Sequence, residues 1–168
     1  MKRFIVVTLE ILICFLLQTT VFQWFPLAGV TPNLLLILTV SIGFMRGRTE
    51  GLFIGFICGL LIDVCYGDLI GICALIYLII GYLSGYANKV FIEEELFIPL
   101  LLVGVGEFIY FFLYYVLEFL LRGRLNIAHY FFNIGLPRII YTVVVSILMY
   151  KLLNRINSLI EHRKDEEV

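Results

Sequence analysis

Long runs of apolar residues, separated by short polar stretches, fill almost the whole chain. The hydrophobicity within each run is continuous rather than alternating, which favours helices over strands. Because backbone polar groups in a bilayer must be satisfied within the chain, each run predicts a membrane-spanning helix. We predict an all-α fold, a polytopic membrane helix bundle of six transmembrane segments. Their approximate bounds are 4–25, 32–45, 50–66, 69–87, 96–121 and 131–153.

The second predicted segment is short. It opens at Thr31-Pro32, a capping residue followed by a proline at the first helical position, and it reaches Met45. At 1.5 Å per residue it covers only about 20 Å of a hydrocarbon core about 30 Å thick. We therefore expect it to lie beside protein, to thin the bilayer, or to form a broken hairpin with the third segment.

The end of the chain continues the sixth segment with a helical pattern of apolar positions. Leu152, Ile156 and Leu159 recur at that spacing, with charged residues between them. This pattern predicts an amphipathic extension to about residue 163, which would lie on the lipid surface or dock a partner. On the opposite side of the membrane, the polar stretch that holds Arg122, Arg124 and Tyr130 is a second candidate surface for a partner.

Composition supports a membrane protein and excludes several other classes. Of 168 residues, 62% are hydrophobic and 15% are charged, against about 45–50% and about 25% in soluble domains. The net charge of −1 gives no basic excess, so we expect no nucleic-acid partner. All four cysteines lie in apolar runs without a CxxC pair, which predicts buried apolar side chains. We expect one membrane domain over residues 1–168, in contact with membrane lipid, without a cofactor or metal.

The distribution of basic residues predicts the orientation of the chain. Nine of the twelve lysines and arginines fall on the side that holds both termini, and Arg122, Arg124 and Arg138 fall on the other. Cytoplasmic loops carry the excess of positive charge, so both termini are expected in the cytoplasm. If residues 32–66 crossed the membrane only once, the charged tail would be exported, which the same rule disfavours.

Small residues recur every four positions along the third segment and form one face of its helix. Such a face lets another backbone approach closely, and packing drives helix association in a bilayer. A similar pair on the fourth segment suggests that the two faces meet each other or a partner protein; the alternative is that glycine is simply common in membrane helices. The predicted packing face comprises Gly51, Gly55, Gly59, Asp63, Gly67, Gly81 and Gly85.

Three charged residues near the ends of their segments are expected to form a polar cluster beneath the outer surface. Asp63 lies close to a helix C-terminus, where the helix dipole disfavours a negative charge, so it should have a partner. Arg138 is the basic residue at comparable depth, and Glu118 competes for it. The alternative is that each of the three side chains reaches the interface separately.

Glu107 lies about eleven residues into the fifth segment, near the middle of the bilayer, where no cation is expected. It should be protonated, hydrogen-bonded to a hydroxyl on a neighbouring helix, or in contact with a wet cavity. The stretch Gly104-Val105-Gly106-Glu107 resembles the GxGD element of intramembrane aspartyl proteases only superficially, because no Tyr-Asp dipeptide accompanies it. The chain also has no HExxH motif or glycine-rich phosphate loop, and we expect no enzymatic activity.

The stretch PNLLLILTVSIGFMRGRTEGLFIGFICGLLIDVCYGDLIGICAL, from Pro32 to Leu75, resembles the signature region of MreD, a family of bacterial rod shape-determining membrane proteins. The shared features are the Pro-Asn start, the Arg-Gly-Arg turn, the Glu-Gly opening, the glycine ladder ending in Asp63 and the Gly-x-x-x-Gly entry to the fourth segment. The chain length and the six-segment plan agree with the family as well.

The resemblance implies a non-catalytic scaffold of the rod-shape complex in the bacterial cytoplasmic membrane, which helps organise lateral peptidoglycan synthesis. It implies four partners, namely an MreC-like coiled-coil protein, actin-like MreB, the SEDS polymerase RodA and a class B penicillin-binding transpeptidase. It also implies a fold similar to the S components of energy-coupling-factor transporters. Their first helix usually carries an Ala-x-x-x-Ala docking motif, and residues 4–25 contain no alanine here.

That fold similarity leaves a second functional hypothesis open. In this alternative the chain is a vitamin-like substrate-binding subunit of a transporter, and Glu107, Asp63 and Arg138 line a solute cavity. The shape of the interior distinguishes the two hypotheses. A pocket that encloses a vitamin would favour transport, and a bundle packed through its centre would favour the scaffold.

Overall fold

The computed structural model describes residues 2–24, 26, 29–67, 70–90, 97–122 and 131–165. It also describes the side chains of these residues, except those at positions 2–4, 89–90, 118–122 and 159–165. The described residues form six helices, α1 to α6. Helix α1 runs through Lys2–Leu16, a π-helical turn Leu17–Val21 and Phe22–Trp24. The others are α2 (Leu34–Arg46), α3 (Arg48–Tyr66), α4 (Ile72–Val90), α5 (Phe97–Arg122) and α6 (a π-helical turn Phe131–Gly135 followed by Leu136–Asp165).

Four of the six helices are long and apolar enough to cross a membrane. These stretches are Ile5–Trp24, Arg48–Tyr66, Phe97–Leu117 and Phe131–Ser158. The apolar parts of α2 and α4, Leu34–Arg46 and Ile72–Asn88, are shorter. The architecture is therefore the expected all-α membrane bundle with a short second helix. We name its two ends after the residues that bound α2, the Asn33 end and the Arg46 end.

Helix α2 occupies the centre of the bundle. It packs against each of the other five helices, and every side chain from Leu34 to Phe44 is buried. A helix that is apolar on all sides is stable where protein surrounds it. This explains how a helix of only 13 residues is accommodated inside a bilayer. Gly47 alone joins α2 to α3, and its φ of +93° is a conformation that glycine adopts without strain.

The start of α2 differs from the prediction that Thr31 caps it and that Pro32 is its first residue. Asn33 is the N-cap, and its Oδ1 accepts a hydrogen bond from the Leu36 N–H at 3.3 Å. Gln18 of α1 accepts another from the Leu35 N–H at 3.2 Å. The first amide groups of a buried helix need acceptors that water cannot provide. An amide side chain of α1 therefore completes the cap that the local sequence begins.

Candidate functional site

The small residues of α3 and α4 lie against each other's backbone, and these two helices share the most extensive contact among the described residues. A β-carbon at Gly55 would overlap the carbonyl oxygen of Tyr77, and one at Gly59 would overlap that of Cys73. A β-carbon at Gly81 would in turn overlap the carbonyl oxygen of Gly51. The helices are thus close enough that these positions admit no side chain.

The same contact continues toward the C-terminal part of α4 and onto α2. A β-carbon at Gly85 would overlap the backbone of Arg48, at the start of α3. Gly43 of α2 also joins this region, since a β-carbon there would lie 2.9 Å from the Gly81 carbonyl oxygen and 3.4 Å from Gly51 Cα. Gly43 is absent from the predicted face because a single glycine on a different helix gives no repeat.

Gly67 is not part of this interhelical contact, in contrast to the prediction. It is the C-cap of α3, and its N–H donates to the Asp63 carbonyl oxygen at 3.0 Å. The backbone is extended there, with φ −80° and ψ 132°, so the four-residue ladder ends with the helix. A β-carbon at Gly67 would lie against the Asp63 backbone rather than against α4.

Asp63 is 1% exposed and binds the N-terminus of α4. Its carboxylate accepts hydrogen bonds from the N–H groups of Gly71 at 2.9 Å, Cys73 at 3.0 Å and Ala74 at 2.8 Å. The expected pair with Arg138 is not formed, because the first amides of α4 satisfy the carboxylate instead. The positive end of the α4 dipole compensates for the unfavourable position of Asp63 near the end of α3.

A chain of hydrogen bonds joins the buried polar side chains of four helices. Thr142 of α6 donates to Glu107 Oε1 of α5 at 3.2 Å. The same hydroxyl oxygen accepts from the Asn33 N–H at 3.2 Å, and Tyr77 of α4 donates to Asn33 Oδ1 at 2.6 Å. A hydroxyl on a neighbouring helix was one of the three expected environments for Glu107. The predicted polar cluster did not include Asn33, Tyr77 or Thr142, although Thr142 lies one helical turn after Arg138.

Arg138 lies beside Glu107 rather than beside Asp63. Its Nε is 3.9 Å from Glu107 Oε1, and its guanidinium carbon is 5.2 Å from the centre of the Tyr110 ring. The expectation that Glu107 has no cation at its depth is therefore wrong. Seven residues of α6 precede Arg138 from Phe131, which places it about 10 Å along the helix, and its long side chain covers the remaining distance to the carboxylate.

A cavity of about 180 Å³ lies between α5 and α6, with both members of this ion pair in its wall. It has room for a few water molecules, whereas small-molecule sites usually measure about 300–1,000 Å³. Aromatic side chains make up much of the remaining wall, and Tyr110 and Tyr114 are stacked with their ring centres 5.7 Å apart. The cavity is suited to hydrating an ion pair and is small for a vitamin.

A second polar group lies at the Arg46 end. The Arg46 side chain, only 2% exposed, donates from Nε to Asn157 Oδ1 of α6 at 2.9 Å, and its Nη1 is 3.8 Å from Glu50 Oε2. Asn88 of α4 donates to the carbonyl oxygen of Phe44. These contacts hold the end of α2 to α3, α4 and α6. Both ends of the short central helix are thus bound by polar side chains of its neighbours.

The remaining predicted residues are distributed as follows. Leu152 is 56% exposed and Ile156 is half-buried, and both lie on the continuous helix α6 that runs to Asp165. The side chains of Glu118, Arg122 and Leu159 lie outside the described part of the structure, as do Arg124 and Tyr130 altogether. Among the described residues, no group of three His, Cys, Asp or Glu side chains could hold a metal ion.

Comparison with known proteins extends the resemblance seen in residues 32–75 to most of the chain. The family model described as rod shape-determining protein MreD matches residues 1–156. Comparisons with curated proteins and with solved structures find no match. The similarity to transporter S components therefore stays a prediction. A match over residues 1–156 of 168 is sufficient to assign a family, and the chain belongs to the MreD family of rod shape-determining proteins.

Proposed function

We propose that this protein is a non-catalytic membrane scaffold of the rod-shape complex, which organises lateral peptidoglycan synthesis by binding other membrane proteins. Membership in the MreD family gives it a role in determining rod shape. The observation that carries the scaffold proposal is the buried helix α2, with all side chains from Leu34 to Phe44 enclosed. A bundle whose centre is a helix offers rigid surfaces rather than a solute compartment.

The transport alternative receives little support from the interior of the bundle. In this alternative, Asp63, Glu107 and Arg138 would line a solute cavity. The carboxylate of Asp63 instead accepts hydrogen bonds from the amides at the start of α4. Glu107 and Arg138 do line a cavity, but its volume is only about 180 Å³. Polar groups in a solute site converge on the ligand, whereas Asp63 is bound by backbone amides and Glu107 pairs with Arg138. The scaffold is accordingly the better supported function.

The proposed partners are those that the family resemblance implies: an MreC-like coiled-coil protein, actin-like MreB, the polymerase RodA and a class B transpeptidase. We further propose that the Arg46 end and both termini face the cytoplasm, since nine of the twelve basic residues lie on that side. Actin-like MreB would then meet the Arg46 end, and extracytoplasmic domains of the other partners would meet the Asn33 end.

Affinity purification of the tagged protein from gently solubilised membranes tests the proposal. The expected result is co-purification of the polymerase, the transpeptidase and the coiled-coil protein, together with loss of rod shape when the tagged protein is depleted. A matched sample with an unrelated six-helix membrane protein serves as the control. Purification of the protein with none of these partners, from cells that need it for their shape, would refute the scaffold role.

A further inference from the structure

Hydrogen bonds join helix α6 to the central helix α2 at both ends of α2. At the Asn33 end, the Asn33 N–H donates to Thr142 Oγ1 at 3.2 Å. At the Arg46 end, Arg46 Nε donates to Asn157 Oδ1 at 2.9 Å. The two acceptors are separated by about 22 Å along α6, and the two donor residues by about 20 Å along α2. The helices are therefore parallel and in register over the whole length of α2.

Between these two hydrogen bonds, one face of α6 is buried at every turn. Ser146, Tyr150 and Leu153 are 1%, 5% and 4% exposed. Together with Thr142 and Asn157 they recur every three or four residues, so they share one face of the helix. Helix α6 packs on α2 and α5. Because a close-packed interface leaves little free volume, a shift at one end of α6 is transmitted along it.

Helix α6 continues past the end of α2. It is one continuous helix to Asp165, so eight residues follow Asn157 and extend about 12 Å beyond the contact with Arg46. At the other end, Thr142 also donates to Glu107 Oε1 at 3.2 Å and thus belongs to the buried polar group described above. The same helix therefore connects an extension beyond the Arg46 end with the polar group at the Asn33 end.

We propose that α2 and α6 form one strut across the membrane, through which binding of a partner to the α6 extension alters the polar group at the Asn33 end. The strut is a property of the isolated chain, and its use as a signal between partners rests on the proposed function. Coupling between two sites acts equally in both directions. Breaking the hydrogen bond at either end should therefore loosen the other end.

Hydrogen–deuterium exchange of the purified protein in lipid nanodiscs, with the change Asn157→Ala, tests the strut. The readout is the Asn33 amide, which lies about 20 Å along α2 from the altered contact. The matched control is Asn154→Ala, the same change at an exposed position one turn away on α6. Exchange at Asn33 should rise at least about threefold in Asn157→Ala and stay unchanged in Asn154→Ala. Faster exchange at Gly47, beside the change, with none at Asn33 would overturn the proposal.

The reverse experiment keeps the test decisive even if Asn157→Ala fails to fold. Thr142→Val removes the hydroxyl at the Asn33 end, and the readout is the Gly47 amide, which donates to the Gly43 carbonyl oxygen at 2.9 Å at the Arg46 end. The control is Ser146→Ala, because the Ser146 hydroxyl bonds only within α6. Exchange at Gly47 should rise in Thr142→Val but not in Ser146→Ala. Equal exchange at Gly47 in both variants would contradict the strut.

The failure of this inference is distinguishable from the failure of the scaffold proposal, because the exchange experiments use the chain without partners. If affinity purification recovers the morphogenesis proteins while each variant changes exchange only at its own end, the scaffold stands and the strut is wrong. If exchange changes at the far end but no partner co-purifies, the strut stands and the scaffold proposal is wrong.

Discussion

Replacing Gly55 by alanine should separate α3 from α4 and destabilise the bundle. The new β-carbon would overlap the Tyr77 carbonyl oxygen, a backbone atom that cannot rotate away, and would lie 3.1 Å from Thr39 Cγ2 of α2. Because non-bonded heavy atoms prefer separations near 3.5 Å, the backbones have to move apart by roughly 1 Å. Such overpacking costs about 2–3 kcal/mol, and the better helix propensity of alanine offsets about 1 kcal/mol. The expected net loss is about 1–2 kcal/mol.

Gly104→Ala is the matched control for this prediction. Gly104 is also a helical glycine, but a β-carbon there would lie 3.5 Å from Val143 Cγ2, an ordinary van der Waals contact. Thermal unfolding of the purified proteins in detergent should give a lower Tm for Gly55→Ala and an unchanged or higher Tm for Gly104→Ala. Restoration of rod shape in depleted cells should follow the same order. A Tm for Gly55→Ala equal to or above that of Gly104→Ala would refute the close-contact reasoning.

Three further predictions concern the polar groups. Asp63→Ala leaves the amides of Gly71, Cys73 and Ala74 without their acceptor and should cost roughly 2–4 kcal/mol in unfolding free energy. Asp63→Asn should cost about half of that, and equal losses would argue against capping. Arg138→Gln should lower the free energy of unfolding by about 3 kcal/mol, and adding Glu107→Gln should restore at least about 1 kcal/mol of that loss. Strictly additive losses in the double variant would exclude an ion pair between Arg138 and Glu107. Asn157→Ala should lower the free energy of unfolding by about 1 kcal/mol. The loss should disappear when Arg46 is also replaced, and a double-mutant cycle measures this dependence.

The helices and the glycine contact could be predicted from the sequence because both depend on local spacing. A continuous apolar run predicts a helix, and glycines at four-residue intervals share one face whatever that face contacts. The short length of α2 could also be predicted from the sequence. Its surface is apolar on all sides, which agrees with its central position in the bundle. These features do not depend on knowing which helices are neighbours.

The partners of the buried charges could not be predicted in the same way. Asp63 binds amides eight to eleven residues further along the chain, but only because α4 begins beside the end of α3. Arg138 contacts Glu107 because α6 packs on α5. The position of Arg138 along its helix was equally consistent with a pair between Arg138 and Asp63. Assigning a partner to a buried charge thus requires the arrangement of the helices, which residue spacing within one segment does not contain.

The single-residue connection at Gly47 constrains how the nascent chain enters the membrane. Helix α2 has 13 residues, about 20 Å, so it is too short to be held across the bilayer by itself during synthesis. With only Gly47 between them, α3 follows α2 directly into the membrane. The two helices are therefore expected to insert as a pair, with Arg46 and Arg48 on the same side of the membrane.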